Sequence, residues 1–484
     1  MSIVSLLIGQ CGNQVGLEFF KTIYNDNYDG CNGQAIRWND EFANESMETF
    51  FNVKGEGVKP EARCVQVDME EKVIRQINAE TSGLSAWRYP QNSFFAQRGS
   101  GNNWALGYLL NGPSCVEVVD DILAAELEKC DSVDGLITTM SLAGGTGSGV
   151  GTYLLRHIGD MCPKVPVLAQ LVLPYRRGEV ATQAYNAVLS LGHLLCASPG
   201  EAPCGLLLHE NDLLHRACAN RLIHHYRHQT HRFVGPLDQV PLVELNRLMA
   251  HLLGGVLQPY IGPSRGYTLC RRRLSHLLFD LAGPADYRLY RLHCLPYHPS
   301  SEARHFATET WPQLLRHTRQ LLLTGACLED KMNWCVSLDN LRGHRRQPLL
   351  ACTGVARGTG AGEVLWSELT AGLDVEGVMR PWRVNASLPM GVCTRAFNGH
   401  LRGVFLATNG GGLVAKDDRT DGGASTDVCA PLRLLRSRAW RLFTSSAYLH
   451  QYSQFGMEDP RASLLDAFAV VEQTIYLYSQ LTTS

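Results

Sequence analysis

The segment Ser141-Leu-Ala-Gly-Gly-Thr-Gly-Ser-Gly149 constrains this chain more tightly than any other stretch of it. It follows the apolar run Gly135 to Met140 and leads into a helical pattern from Val150. Glycines let a backbone approach an anion closely, successive N–H groups can then point at its oxygens, and the following helix N-terminus adds partial positive charge. Thr146 and Ser148 put hydroxyl donors beside them. The strand before and the helix after favour a phosphate cradle over a merely flexible turn. Other apolar runs share this setting: Ile3 to Ile8, Arg63 to Val67, Val165 to Leu173 and Cys204 to Leu208 end in Gly, Asn, Asp or Ser loops and precede helical patterns. Near-continuous apolarity suits parallel strands covered on both faces. Val116, Val119, Leu123 and Leu127 mark one covering helix, and Val180, Ala184, Val188, Leu191 and Leu195 mark another. The pattern predicts an α/β protein with a doubly wound parallel sheet, binding its ligand in loops at the carboxyl ends of the strands.

Those loops are rich in amides and acids. The first turn, Gly9-Gln-Cys-Gly-Asn-Gln-Val-Gly16, lacks the G-x-G-x-x-G of a dinucleotide fold, and no G-x-x-x-x-G-K-[ST] loop occurs. A nicotinamide-dependent oxidoreductase is therefore a remote alternative. Gln10, Asn13 and Gln14 offer donors and acceptors together, which suits the edges of a nucleotide. Asp68 and Glu70 form a carboxylate pair able to hold a hydrated Mg²⁺ beside phosphates. Asn102 and Asn103 follow Gly99-Ser-Gly101, and Glu179 and Asn211 lie in later loops. Each is weak evidence alone, but their succession in strand order is not.

These residues resemble a known family, the tubulins. Gly9 to Gly16, the Asp68-Met-Glu70 turn, Gly101-Asn-Asn-Trp-Ala105, Ala143-Gly-Gly-Thr-Gly-Ser-Gly149, Tyr185-Asn186 and Asn211 stand in family order, with Leu449-His450 and Gly456-Met457 near the end. The Met-Ser-Ile-Val start, Gly99 to Trp104, Leu208-His-Glu-Asn-Asp212 and His450 to Met457 are nearest the delta branch. The resemblance implies a nucleotide-binding domain over 1–260, a smaller α/β intermediate domain with variable loops over 261–430, and a C-terminal helical hairpin over 431–484. It also implies GTP or GDP with Mg²⁺ as cofactors. By position, Gln10, Cys11 and Gln14 would contact the nucleotide, and Asp68 and Glu70 would lie by Mg²⁺. Ala143, Gly144, Gly145, Thr146, Gly147, Ser148 and Gly149 would cradle the phosphates, with Asn102 close by. Ser141 and Glu179 would face the sugar, and Asn211 and Asn246 the guanine edge. The partners implied are other tubulins, alpha and beta first and epsilon as a further candidate, together with centriolar proteins. The place implied is the cytoplasm and cytoskeleton, at centrioles, centrosomes or the basal bodies of cilia, in forming or stabilising triplet microtubules.

Two departures bear on mechanism. Leu242 stands where an aromatic ring usually stacks on guanine, four residues before Asn246. Arg271, Arg273 and His276 stand where the loop lent to a neighbouring subunit would carry Asn, Asp and the catalytic acid, with Asp280 as a reserve. Hydrolysis is then expected to be weak, or to need a partner that offers an acid, and a tubulin-fold scaffold with little nucleotide turnover is the alternative reading.

Composition bounds the rest. With 44 basic and 46 acidic residues the net charge is −2, which argues against a nucleic-acid grip. No run of about 18 apolar residues suggests a membrane span, and the start lacks the features of a secretory signal. The 16 cysteines are expected to be reduced in the cytosol. An excess of Arg, 36 against 8 Lys, is read as coding bias. His224, His228 and His231 share a helical spacing, but without an acid or Cys to complete a site the segment 224–231 reads as a solvated loop. Gly354 to Gly362 and Asn409 to Asp427 read as loops. Asp459 and Pro460 open a helix whose stripe is Leu464, Phe468, Val471, Ile475 and Tyr478. The sequence stops at Ser484 without an acidic tail, so readers of such tails are expected to find no hold.

Overall fold

Strand β1 (Ser2–Ile8) is buried at every position, as a near-continuous apolar run covered on both faces requires. The same holds for β4 (Cys64–Asp68) and β7 (Val167–Leu173), and nearly so for β6 (Val133–Ser141) and β8 (Cys204–Glu210). The computed structural model describes residues 1–29, 37–55, 58–84, 87–178, 180–196, 204–219, 240–261, 269–270, 273–284, 286–297, 310–327, 332–337, 345–364, 390–414 and 425–482. A short ribbon, β2 (Phe51–Asn52) with β3 (Glu61–Ala62), stands apart from the main sheet. With the short β5 (Phe94–Phe95), the first-half strands lie in the order β5-β4-β1-β6-β7-β8, all parallel. The chain thus winds outward from β1 to β5, returns to β6 on the other side of β1, and winds outward again. That reversal between β1 and β6 is a topological switch point, where such sheets bind ligands.

Helices α1 (Gly9–Asp29) and, in the second half, α8 (Leu242–Leu257) cover one face, with α2 (Arg37–Phe50) and α3 (Glu71–Leu84) beside α1. Leu7, Phe20, Ile23, Ile137, Leu248 and Val256 share that core. The other face is covered by α4 (Gly112–Glu128), α5 (Gly151–Met161) and α6 (Gln183–Cys196) through Leu123, Leu154, Ile158 and Leu191. Residues 211–219, α7, are helical as well.

Beyond α8 the sheet continues through β9 (Tyr260–Ile261), β10 (Leu269–Cys270), β11 (Leu289–Leu295), β12 (Arg346–Gly358), β13 (Met390–Cys393) and β14 (Arg402–Leu413). β11 joins β8 in parallel through Leu289 opposite Leu206 and Tyr290 opposite Leu207, and then pairs with β14 antiparallel. Helix α10 (Trp311–Thr324) packs here through Leu314, Leu321 and Leu322. Helix α9 (Leu274–Leu281) has no capping side chain of its own. Asp134, at the start of β6, serves instead, accepting from Leu274 N and, at 2.6 Å, from Ser275 Oγ.

The C-terminal part comprises α11 (Ala430–Thr444), the short α12 (Leu449–Ser453) and α13 (Pro460–Gln480). Asp459 caps α13 as its sequence position suggests, accepting from Arg461 N at 2.9 Å and Ala462 N at 3.0 Å. Leu464, Phe468, Val471 and Tyr478 are buried and Ile475 partly so, each buried side chain contributing roughly 1.5–3 kcal/mol. α13 crosses α6 where a Cβ on Gly192 would lie 2.7 Å from Ala467 Cα, so only glycine permits this approach.

Two expectations are corrected. Gly354 to Gly358 belongs to β12 and Asn409 to Leu413 to β14, not to loops. Glycine is used there for close packing: a Cβ on Gly354 would meet Leu406 Cδ2 at 2.4 Å, and one on Gly412 would meet Asp427 at 2.6 Å. Asn409 is buried, donating to Leu281 O and Tyr287 O and accepting from Tyr478 OH at 3.0 Å. Val180 lies before α6 rather than on it. The histidine segment 224–231, Glu179 and Arg271 lie outside the described residues.

Candidate functional site

Every parallel strand of the first half ends in one of the loops singled out by sequence. β1 runs directly into Gly9, whose φ of 71° is a left-handed value that favours glycine, and α1 starts there. β6 runs into the glycine loop, which tightens into a wide helical turn over Thr146–Val150 before α5. The two loops abut: a Cβ on Gly9 would lie 3.3 Å from Gly147 N and 3.5 Å from Thr146 Cβ. The helix N-termini after β1 and β6 therefore open side by side at the switch point, with free N–H groups and the positive ends of two helix dipoles.

The glycine loop is clamped by the segment after β5. A Cβ on Gly145 would sit 2.4 Å from Ser100 O, and one on Gly147 would sit 2.4 Å from Ser141 O. Ser100 Oγ and Thr146 Oγ1 hydrogen-bond at 3.1 Å, and Asn111 Nδ2 donates to Ser100 Oγ at 2.9 Å. Gly101 and Asn102 both adopt left-handed backbone, with φ of 53° and 51°. Asn103 accepts from Ala105 N at 2.8 Å and from Leu106 N at 3.3 Å, capping the next helical turn. Ser148 Oγ donates to Gly144 O, so this hydroxyl is engaged within the loop. Ser141 Oγ accepts from Ala143 N at 3.3 Å.

Asp68 closes β4 and is only 3 % exposed. Its Oδ1 accepts from Glu70 N at 3.2 Å, while Oδ2 is buried with no hydrogen-bond partner. Burial raises its carboxyl pKa to about 6, against opposing backbone donors at Glu70 and Met69. A buried carboxylate oxygen with a vacant lone pair fits a hydrated divalent cation, and Glu70 lies beside it against Gly99. Among the described residues no three His, Cys, Asp or Glu side chains gather into a complete metal cage, and none is needed where phosphates supply further ligands.

On α1, Gln10 is exposed, and Cys11 and Gln14 are half-buried. Burial pushes the Cys11 thiol up to about 12, so it stays protonated and is no nucleophile. Asn13 gives its Nδ2 to the fold, donating to Gly9 O at 2.9 Å and Val67 O at 3.3 Å, while its Oδ1 is buried with no hydrogen-bond partner. Asn211 is half-buried at the start of α7, and Asn246 is 8 % exposed on α8, one turn after Leu242 at 57 %. α8 packs along α1 in the same direction, with Arg247 on Glu18 and Gln258 on Asp26, so Leu242 and Asn246 lie toward the start of α1. Arg273 stands immediately before α9, and His276 is exposed on it.

One residue outside the sequence-derived site ties these loops together. Asn186 on α6 donates to Asn102 O at 2.8 Å and to Ala143 O at 2.9 Å, and its Oδ1 accepts from Trp104 N at 3.0 Å. In sequence it stands out only within the Tyr185-Asn186 pair, to which no role in the site is given.

A doubly wound parallel sheet with a glycine cradle and two helix N-termini at its switch point defines a nucleotide-binding α/β protein. The Tubulin/FtsZ family, GTPase domain, matches residues 2–218, and this domain implies GTP or GDP as the nucleotide. The chain is 33 % identical to the tubulin delta chain of Mus musculus over 499 residues, covering 99 % of this chain and 100 % of that one. It is also 33 % identical to the tubulin delta chain of Homo sapiens over 491 residues, with the same coverage. The tubulin beta chain of Candida albicans is 34 % identical over 255 residues, 52 % of each chain. The chain belongs to the tubulin family.

Proposed function

We propose that this chain is a GTP-binding tubulin subunit of the delta kind, acting at centrioles and basal bodies in forming or stabilising triplet microtubules. The observation that carries the nucleotide half of this reading is the contact between the Gly9 and Gly147 loops at the switch point. Ala143 to Gly149 and Asn102 would hold the phosphates by backbone N–H groups, with Gln10, Cys11 and Gln14 lining the nucleotide from α1. Ser141 and Glu179 would serve the sugar, and Asn211 and Asn246 would read guanine, since an amide offers a donor and an acceptor together. Asp68 and Glu70 would hold Mg²⁺ through water, and the ion would neutralise phosphate charge. Leu242 covers the base by apolar contact in place of ring stacking, an exchange that lowers affinity.

Its partners are other tubulins, alpha, beta or epsilon, and centriolar proteins. At the positions matched to the catalytic loop, the start of α9 carries Arg273 and His276 in place of an acid, with Asp280 further along as the reserve, so this chain holds its own nucleotide without activating its neighbour's. Reading the nucleotide released when the purified full chain is denatured tests the proposal. GTP or GDP is expected; NAD, or nothing at all, refutes it. A tagged copy in ciliated cells should concentrate at basal bodies, and a diffuse signal counts against the cellular half.

A further inference from the structure

We propose that Tyr452 and Asn186 are positioning residues for the nucleotide loops, so that the short helix α12 on the protein surface governs how long a nucleotide is held. The inference rests on the nucleotide reading above. Asn186 is fully buried, and its amide is saturated. An amide has two donor hydrogens and two acceptor lone pairs. The hydrogens go to Asn102 O and Ala143 O, and the lone pairs take Trp104 N and the Tyr452 hydroxyl, the last at 2.7 Å. One side chain thereby fixes both flanks of the anion cradle, the left-handed turn at Asn102 and the residue that opens the glycine run.

The fourth partner comes from far along the chain. Tyr452 is buried among Tyr185, Leu464 and Phe468, and it leads out to a surface element on which His450 and Ser453 are exposed. The same short helix makes a second link, because Gln451 O accepts from Asn103 Nδ2 at 3.1 Å. Asn103 in turn caps the helical turn that begins beside Trp104. Helix α12 therefore holds the 102–104 loop directly and the glycine loop through Asn186. Without the hydroxyl, Asn186 Oδ1 keeps only Trp104 N, the amide is held less tightly, and its two donor bonds loosen together.

The test is the release of labelled GDP from the intact full chain under excess unlabelled GTP, in wild type, Tyr452→Phe and Tyr185→Phe. Tyr452→Phe keeps the ring and removes the hydroxyl's short bond to Asn186 Oδ1 together with its longer contact, at 3.5 Å, to Thr182 O. Tyr185→Phe removes a bond across the same packed region, to Ala447 O at 3.2 Å, without touching Asn186. Tyr452→Phe should release GDP about threefold to tenfold faster, the size expected of one hydrogen bond. Tyr185→Phe should match wild type, and thermal unfolding of the nucleotide-free forms should be alike. Amide exchange over Ala143 to Thr146 should quicken in Tyr452→Phe alone. Unchanged release in Tyr452→Phe, or equal acceleration in both variants, overturns the assignment. A wild-type chain that retains no nucleotide overturns the nucleotide reading itself, and this inference with it.

Discussion

Gly144 and Gly145 are neighbours in one loop, and alanine should be tolerated at the first and not at the second. A Cβ on Gly145 would sit 2.4 Å from Ser100 O, 2.7 Å from Asn103 N and 2.7 Å from Ser100 Cβ. Two of these are backbone atoms, so no side-chain rotation relieves the clash. The 100–103 loop must retreat by about 1 Å to restore ordinary contact. That retreat stretches the Ser100–Thr146 bond and the Asn186 bridge from Ala143 O to Asn102 O. At about 1 kcal/mol each for the Ser100–Thr146 bond and the Asn186 bridge and roughly 1–3 kcal/mol for overpacking, Gly145→Ala should cost about 3–5 kcal/mol. A Cβ on Gly144 would meet only Asn102 Oδ1, at 3.3 Å, the movable end of a side chain. Alanine there restricts the unfolded chain by about 0.4–1 kcal/mol, which offsets the contact. Calorimetric scans of nucleotide-stripped protein should therefore show Gly144→Ala close to wild type and Gly145→Ala several degrees lower. Stripping matters because bound ligand adds its own stabilisation. Equal melting of the two variants would refute the clamp between the loops.

Asp68 gives a pH signature. Its folded pKa of about 6 lies above the ordinary 3.8, so its protonation favours the fold: the contribution is fully present below 3.8 and lost as pH rises through about 6. Mg²⁺ wants the ionised form, so the rise in Tm that Mg²⁺ gives the GTP-loaded chain should grow between about pH 5 and about pH 7, and Asp68→Asn should flatten it. The same slope in Asp68→Asn would remove Asp68 from the cation site. On α9, co-assembly with a tubulin whose GTP lies under this helix should leave that GTP unhydrolysed. Full hydrolysis that disappears in His276→Ala would contradict the altered-loop reading.

The parallel half of the fold was legible because burial on both faces leaves few polar residues to blur a strand, only Ser2 and Ser5 in β1 and Gln170 in β7. The loops of the site were legible for a related reason, each being local to the end of one strand. The glycine-rich ends of β12 and β14 were not. Gly410, Gly411 and Gly412 have φ of 76°, 86° and 125°, values that read as turns, yet the ladder opposite β12 holds them in the sheet. Tyr452 was hidden for a different reason: its bond to Asn186 spans 266 positions, and no local pattern encodes it. Asn186 itself bridges 84 positions to Asn102 and 43 to Ala143.

Strand β6 carries the glycine loop beyond one end, at Ser141, and the cap of α9 near the other, at Asp134. A strand rises about 3.3 Å per residue, so these ends stand roughly 23 Å apart on a buried element that neither stretches nor bends readily. On the proposed reading, the site where a subunit would keep its own nucleotide and the helix it would offer to a neighbour are two marks on one ruler. In a filament built head to tail, β6 would set a fixed share of the axial repeat, because β1 and β7, paired to either side of it, hold its length.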